Sequence, residues 1–200
     1  NERFPSVNTF WLPIGVDVNF YQPDKIETAD FRERAGLKST DIVFFYGGIL
    51  GHAQGLSIVL EAAKKVESNE RIRIILQGAG PEKEDLLALK ESLGLKNVVF
   101  MPPVEKAQMP SILKSIDVAL VPLRKLDIFQ GAIPSKIFEA LAMKKPLLLG
   151  VDGEARTHFI EKGKAGQFFE PENIDDLAGK LIQMAESPEE LTQMGERARS

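Results

Sequence analysis

The sequence predicts an α/β fold in which one parallel sheet is covered by helices on both faces. Short apolar runs alternate with longer segments whose apolar residues recur at helical spacing. The short runs are apolar at nearly every position, as expected for strands that are buried on both sides. Prolines lie near the ends of the predicted elements, where they interrupt neither a helix nor a ladder. Together these observations indicate a doubly wound, Rossmann-like domain of about six strands.

The predicted elements follow one another in a regular order. Strand-like runs lie at 41–48, 72–78, 97–101, 117–123, 146–150 and 166–170. Helical segments separate them, at 55–68, 81–94, 107–116, from Pro134 onward, and 154–163. The spacing of Leu56, Val59, Leu60, Ala63 and Val66 is typical of a helix with one buried stripe. A short strand within 9–17, a helix ending at Gly36 and two helices after residue 170 complete the order.

Composition excludes several classes of protein. The net charge of −4 argues against a nucleic-acid partner, because such binding generally needs a basic face. The absence of cysteine excludes disulfides and thiolate chemistry, and it fits a reducing compartment. No apolar run approaches the roughly 20 residues that span a bilayer. The chain begins at Asn1 and ends inside a predicted helix, so we expect it to be part of a longer protein.

The first loop of interest is the glycine-rich stretch 47–55, GGILGHAQG, between a strand and a helix. Ligands of doubly wound sheets bind beyond the carboxyl ends of the strands, which is where this loop should lie. Glycine lets the backbone come close to a phosphate with its N–H groups exposed, so Gly47 and Gly48 are candidate contacts. The alternative is a flexible crossover loop. His52 could donate to a phosphate oxygen or simply be exposed.

A second loop, 78–81, imitates the start of a dinucleotide-binding motif. Gly78 follows a strand, and Gly80 comes two residues later, before a helix. Lys83 stands where the third glycine of that motif would be, and no acidic residue is convincingly placed for a ribose. A turn that caps the following helix is the favoured interpretation, with NAD binding as the alternative.

The third candidate is the helix that starts near Pro134. Its first turn should carry unpaired N–H groups and a partial positive charge, to which Lys136 adds a full one. Glu139 follows three residues later and so lies on the same face, one turn deeper. This arrangement suits a nucleotide diphosphate, with an ammonium for the phosphates and a carboxylate for vicinal hydroxyls. The alternative is a surface Lys–Glu pair, which contributes little to stability.

Residue patterns for several other chemistries are missing from the sequence. There is no Gly-x-Ser-x-Gly motif and no Asp-x-Asp pair. His52 and His158 are the only histidines, and their spacing is not that of metal ligands. We therefore expect a site that uses neither a metal ion nor a cofactor, with the nucleotide as substrate.

The succession of motifs resembles a known family. PIGVDVNFYQP, FFYGGILGHAQGL, LQGAGPEKEDLLALKESLGLKNVVFMPPV, SIDVALVPL and PSKIFEALAMKKPLLLG occur in this order over nearly the whole chain. They are similar to the C-terminal domain of GT-B retaining glycosyltransferases of family 4, above all bacterial enzymes of surface-polysaccharide and lipopolysaccharide assembly. The resemblance implies an interdomain linker and first strand at 1–24. It implies a single nucleotide-sugar-binding domain at 25–200, with the N-terminal acceptor domain absent.

The resemblance also implies roles for the matching residues. Glu139 matches the second glutamate of the family's Glu-x7-Glu motif, which accepts hydrogen bonds from the ribose hydroxyls. Lys136 and Ser135, after Pro134, match the positions that meet the diphosphate. Gly47 and Gly48 match the glycine loop that approaches the phosphates. Pro103 and Val104 match the turn that contacts the uracil ring.

This sequence departs from the family pattern in two places. The first glutamate of the motif would fall at Gly131. An arginine and a lysine that many members carry around the glycine loop are replaced by Ile49 and Gln54. Arg124 is therefore a candidate for assisting Lys136 at the diphosphate, and Asp127 is a candidate for the missing carboxylate near the sugar.

The resemblance implies the donor-binding part of an enzyme that transfers a sugar from a UDP-sugar to an acceptor hydroxyl. By itself this portion is expected to bind UDP weakly and to transfer nothing. The expected partners are the nucleotide-sugar donor, a saccharide or lipid-linked acceptor and the protein's own N-terminal domain. The expected location is the cytoplasm, including the inner face of the membrane. The alternatives are a UDP-sugar epimerase of the same architecture and a non-catalytic nucleotide- or NAD-binding module.

Overall fold

The computed structural model describes residues 15–28 and 30–199. Most of the strand expected within 9–17 lies outside these residues, and the described part, 15–17, is not in a strand. The other six predicted strands are present: β1 Ile42–Ile49, β2 Ile72–Ala79, β3 Val98–Met101, β4 Val118–Pro122, β5 Leu147–Gly150 and β6 Gly166–Phe168. They form one sheet in the order β3-β2-β1-β4-β5-β6, and every neighbouring pair is parallel. The Rossmann-like fold predicted from the sequence is confirmed.

The helices cover both faces of this sheet. They are α1 Phe31–Arg34, α2 Ser57–Lys65, α3 Lys83–Leu93, α4 Met109–Ser115, α5 Lys136–Ala142, α6 Ile174–Glu186 and α7 Pro188–Arg199. Single turns of 3-10 helix occur at His52–Gln54, Lys106–Gln108 and Asp127–Phe129. No helix within the described ranges is both long and apolar enough to cross a lipid bilayer.

Strand β1 shows why one sheet supports two cores. Phe44 and Tyr46 belong to the core beneath α2 and α6, whereas Val43 and Phe45 belong to the core beneath α4 and α5. Alternate residues of a strand point to opposite faces, so an apolar residue at every position fills both cores. The four side chains are at most 3% exposed.

One segment differs from the sequence-based prediction. Residues 154–163 are helical as expected, but Arg156–Lys162 form a π-helix. At its end Gly163 N–H donates to the carbonyl of His158, five residues earlier, at 3.0 Å. Phe159 within this segment packs edge-to-face on Phe138, with ring centroids 5.7 Å apart. Helical periodicity in the sequence indicates a helix but not how wide its turns are.

A partly buried ionic network joins β1 and β4 at the amino end of the sheet. Asp117 accepts from the N–H of Val43 at 2.8 Å and pairs with Arg32 at 3.3 Å. Arg32 also donates to the carbonyl of Asp41 at 2.6 Å. These bonds tie the two central strands together at the amino end of the sheet.

The strand order reverses between β1 and β4, which makes this the topological switch point of the sheet. The chain leaves β1 toward β2 and leaves β4 toward β5, so the two following loops diverge. Divergence opens a crevice at the carboxyl ends of these strands, the usual ligand position in such folds. The residues at this crevice are the glycine loop after β1 and the start of α5.

Candidate functional site

The end of β1 presents bare backbone to the crevice. Gly48 has a φ of +146°, and Gly78 on the neighbouring strand has a φ of +150°. A Cβ added to Gly78 would lie 1.8 Å from the carbonyl oxygen of Gly48. A Cβ on Gly47 would lie 2.8 Å from the ring of Phe45. Glycine is therefore required at these positions by close approach of backbone and ring, and the loop has no side chains of its own there.

Lys136 places its ammonium beside this bare backbone. Its Nζ lies 2.9 Å from the position that a Cβ of Gly48 would occupy. The same atom lies 3.8 Å from the centroid of the Tyr46 ring, which is a cation–π distance. Tyr46 is 1% exposed, and its hydroxyl donates to the carbonyl of Ile49 at 2.5 Å. The ring therefore forms a fixed support beneath the lysine.

The Lys136 ammonium is partly desolvated by burial. Burial lowers the pKa of Lys136 to about 8, and the nearby carboxylate of Glu139 opposes this shift. Burial also raises the pKa of Tyr46 far above its ordinary value of 10.0. Among residues 15–28 and 30–199, no carboxylate lies within ion-pair distance of the Lys136 ammonium. An anion entering the crevice would supply the missing partner.

Glu139 lies one helical turn beyond Lys136 and lines a cavity of about 580 Å³. The other lining residues come from the linker, from the turn after β3 and from the start of α5: Gly15, Val16, Asp17, Phe20, Tyr21, Lys106, Ala107 and Ser135. The cavity is therefore walled by three separate parts of the chain. Ser135 is exposed, and its carbonyl accepts from the N–H of Phe138 at 3.1 Å. The carbonyl of Pro134 accepts in the same way from Ile137, at 3.0 Å.

The turn after β3 leads into one wall of this cavity. Its first carbonyl, that of Pro102, accepts from the side-chain amide of Gln77 at 3.1 Å. Pro103 is exposed, and Val104 packs partly buried against the core beneath α5. A reciprocal cap between Glu105 and Gln108 then starts the 3-10 turn whose Lys106 and Ala107 line the cavity. Pro103 and Val104 therefore directly precede the part of the chain that lines the cavity.

Three predicted site residues direct their side chains to protein partners. His52 is 76% exposed and contacts Glu82 at 2.5 Å, so it lies on the outside of the loop. Arg124 pairs with Glu172 at 3.2 Å, while its backbone N–H donates to Ala53 in the glycine loop. The Asp127 carboxylate accepts from the side chain of Gln130 at 3.4 Å. Arg124 therefore borders the glycine loop through its backbone, with its guanidinium held by a carboxylate.

Two residues of the site were missed by sequence reasoning. Tyr46 reads as part of an apolar strand, although a tyrosine just before Gly47 and Gly48 could have been recognised as a side chain with a polar tip at the strand end. Tyr21 lies in the linker, where nothing in the sequence indicates that it packs beside Glu139. Within the described ranges, no group of three or more acidic or histidine side chains is placed to hold a metal ion.

The fold is one that known glycosyltransferases share. Residues 27–200 match the model of the family described as glycosyl transferases group 1. The chain belongs to this family, as the sequence motifs predicted.

Individual relatives agree with this assignment. The alpha-D-kanosaminyltransferase of Streptomyces kanamyceticus is 27% identical over 172 residues, which cover 85% of this chain and 43% of that protein. A GDP-mannose-dependent alpha-(1-6)-phosphatidylinositol monomannoside mannosyltransferase of Mycolicibacterium smegmatis is 25% identical over 197 residues, covering 96% of this chain and 50% of the relative. The chain spans half or less of the length of these curated relatives.

Solved structures show the same fold. The Anabaena protein HepE, in complex with UDP and glucose, superimposes with a TM-score of 0.75 at 20% identity. The match covers 92% of this chain and 49% of HepE. This likeness supports the architecture described above and says nothing by itself about individual side chains.

Proposed function

We propose that the crevice between the glycine loop and α5 binds the nucleoside diphosphate of a nucleotide-sugar donor. On this proposal the chain is the donor-binding part of a retaining glycosyltransferase of polysaccharide or glycoconjugate synthesis. The single observation that carries it is the Lys136 ammonium, which lies against the bare backbone of Gly48 at the switch point. Glu139 lies one turn deeper, in a cavity of about 580 Å³.

The diphosphate part rests on the surroundings of Lys136. Its ammonium is partly dehydrated and has no carboxylate partner in the part of the chain that the structure describes, and Gly48 leaves room for a large anion to reach it. Phosphate oxygens form short, charge-assisted hydrogen bonds with an ammonium, which compensate for lost hydration. Backbone N–H groups of the glycine loop would add further donors, as in other phosphate-binding loops.

The nucleoside part rests on Glu139 and the cavity that it lines. A volume of about 580 Å³ lies within the range of roughly 300–1,000 Å³ typical of small-molecule sites. A carboxylate accepts several hydrogen bonds at once, so Glu139 can hold both hydroxyls of a ribose. The base would then lie toward the turn with Pro103 and Val104, where main-chain groups and an apolar side chain meet its edge and face.

The chemistry follows from the charge at Lys136. When the bond from the anomeric carbon to the β-phosphate breaks, negative charge grows on the departing diphosphate. A fixed ammonium at that point stabilises the transition state, and contributions of about 3 kcal/mol are usual for one such donor. The acceptor hydroxyl, bound by another part of the parent protein, forms the new glycosidic bond and passes its proton to the departing nucleotide diphosphate. We propose that lysine supplies this charge in place of a metal ion or cofactor.

UDP is the first candidate nucleotide, because the sequence motifs resemble UDP-sugar enzymes and HepE was solved with UDP. GDP is the second, because the mycobacterial relative is described as GDP-mannose-dependent. Asp127 remains the candidate carboxylate near the sugar, since Gly131 is exposed and carries no side chain. A location in the cytoplasm or at the inner face of the membrane, where lipid-linked acceptors are available, belongs to the same proposal. It includes no nucleic-acid partner.

An NAD-binding module is less well supported. The glycine at position 78 was its main evidence, and the contact with the Gly48 carbonyl already requires glycine there. An epimerase would need further catalytic carboxylates or histidines near the diphosphate. The two histidines are His52, which faces Glu82, and His158, in the π-helix.

The test is calorimetric titration of the chain with UDP and, separately, with GDP. We expect weak binding of one nucleotide, reduced at least tenfold in the Lys136→Gln variant. Lys162→Gln is the matched control, since Lys162 is an exposed lysine just before Gly163, away from the crevice. Absence of binding by both nucleotides, or equal binding by the Lys136→Gln variant, would refute the proposal.

A further inference from the structure

Tyr21 is a buried linker residue whose hydroxyl has no hydrogen-bond partner among the described residues. The whole residue is 1% exposed. Its backbone is fixed from both sides: the Tyr21 N–H donates to the Asp17 carbonyl at 3.2 Å, and Arg199 of α7 donates to the Tyr21 carbonyl at 2.8 Å. These bonds fix the backbone that carries the buried side chain.

The oxygen of this side chain brings no benefit to folding. A buried hydroxyl without a partner has lost its hydrogen bonds to water and gained none in return, which destabilises the folded state. Phenylalanine would fill the same space without that cost. The Tyr46 hydroxyl provides a contrast, since it donates to the carbonyl of Ile49. The Tyr21 oxygen therefore calls for an explanation outside the stability of the unliganded chain.

Glu139 is the polar group that the Tyr21 hydroxyl faces. Both residues line the cavity of about 580 Å³. Burial is the largest cause that raises the pKa of Tyr21 above its ordinary value of 10.0, followed by the negative charge of Glu139 and by the closeness of the hydroxyl to that carboxylate as a hydrogen-bond acceptor. The phenol thus stays protonated and able to donate, and the carboxylate lies near it without the geometry of a completed hydrogen bond.

We propose that Tyr21 is a positioning residue for Glu139, whose hydroxyl donates to the carboxylate once a ribose occupies the cavity. A carboxylate has about four acceptor positions, so one bond from Tyr21 leaves enough for both ribose hydroxyls. The bond fixes the rotation of the carboxyl group and turns its remaining lone pairs toward the diol. This inference rests on the proposed function, because it assumes that Glu139 holds the ribose.

The experiment compares UDP with 2′,3′-dideoxy-UDP, which lacks both ribose hydroxyls. The variants are Tyr21→Phe and Glu139→Gln, and dissociation constants are measured by calorimetry on the full chain. We expect Tyr21→Phe to weaken UDP binding about three- to tenfold, the effect of one modest hydrogen bond. Binding of the dideoxy nucleotide should not change. A role in packing alone would alter both nucleotides equally.

Thermal melting provides the second measurement. Tyr21→Phe should melt at the same temperature as the wild type or higher, whereas Tyr46→Phe, which loses a formed hydrogen bond, should melt lower. The inference is overturned if Tyr21→Phe binds UDP as tightly as the wild type, or if it loses affinity for both nucleotides alike. If the wild type itself does not distinguish the two nucleotides and Glu139→Gln has no effect, the ribose role of Glu139 fails, and the inference fails with it.

Discussion

Nucleotide binding by this chain should weaken steeply as the pH rises above 8, because Lys136 must be charged to hold the diphosphate. Burial lowers the pKa of Lys136 to about 8 in the empty crevice. A bound diphosphate favours the ammonium and should return that pKa to its ordinary value of 10.5 or above. Binding therefore takes up a proton, so affinity is fully present below about pH 8 and is lost above it.

The size of the effect follows from this shift. With a pKa of about 8, roughly 90% of the empty sites carry the ammonium at pH 7 and roughly 10% at pH 9. The apparent dissociation constant should then rise about tenfold over this range. The Tyr46 phenol beside the ammonium does not titrate here, because burial keeps its pKa above this range. The terminal phosphate, with a pKa near ~6, is already fully charged.

Calorimetry in buffers of different ionisation enthalpy measures both quantities. Uptake on binding should be about 0.1 proton at pH 7, about 0.5 at pH 8 and about 0.9 at pH 9. Lys136→Arg is the control, since arginine stays charged throughout, and its affinity should not depend on pH. A wild-type affinity that is flat from pH 7 to 9, or an equal slope in the arginine variant, would refute the reasoning about Lys136.

Three further predictions concern stability. Lys136→Met should raise the melting temperature at pH 7, by the equivalent of about 1–2 kcal/mol, because burial of the charged ammonium destabilises the folded state. This gain in stability should shrink between pH 8 and 10.5, and no gain at pH 7 would contradict the desolvation argument. Gly78→Ala should lower the free energy of unfolding, measured in urea, by about 3 kcal/mol or more, because its Cβ would overlap the Gly48 carbonyl. Gly131→Ala is the control and should lower it little, since the space around Gly131 is open; equal decreases in the two variants would disprove the contact. Tyr46→Leu should weaken UDP binding more than Tyr46→Phe does, since phenylalanine keeps an aromatic face beneath the ammonium. The reverse order of dissociation constants in titrations would show that the cation–π contact does not contribute to binding.

The predicted strands and helices agree with the structure because each depends on local chemistry. The run DIVFFYGG has apolar residues at alternate and intervening positions alike, which predicts a strand buried on both faces. Pro81 and Gly94 bracket α3, which ends at Gly94 with a φ of +64°. The π-helical turns at Arg156–Lys162 could not be predicted in this way, because they depend on packing such as the contact between Phe159 and Phe138.

The residues of the candidate site also differ in whether local sequence could reveal them. Lys136 and Glu139 could be recognised in the sequence because their spacing puts both on one helix face after a proline. The partners of Arg124 and His52 could not, since Glu172 and Glu82 are 48 and 30 residues away in the chain. Tyr21 and Tyr46 were missed because they resemble core residues in the sequence. Their role depends on the charged group beside each, which is Glu139 for Tyr21 and Lys136 for Tyr46.

The amino-acid sequence alone determined the doubly wound parallel sheet and the loops at its ligand-binding end, through the order of apolar runs, glycines and prolines. This was possible because strand burial and helix periodicity are properties of neighbouring residues. Only the tertiary structure brought the Lys136 ammonium onto the Tyr46 ring beside Gly48, and the Tyr21 hydroxyl toward Glu139. Such contacts join parts of the chain that are 88 to 118 residues apart. They arise from how α5 packs against the end of β1 and against the linker, and no local pattern of residues encodes that packing.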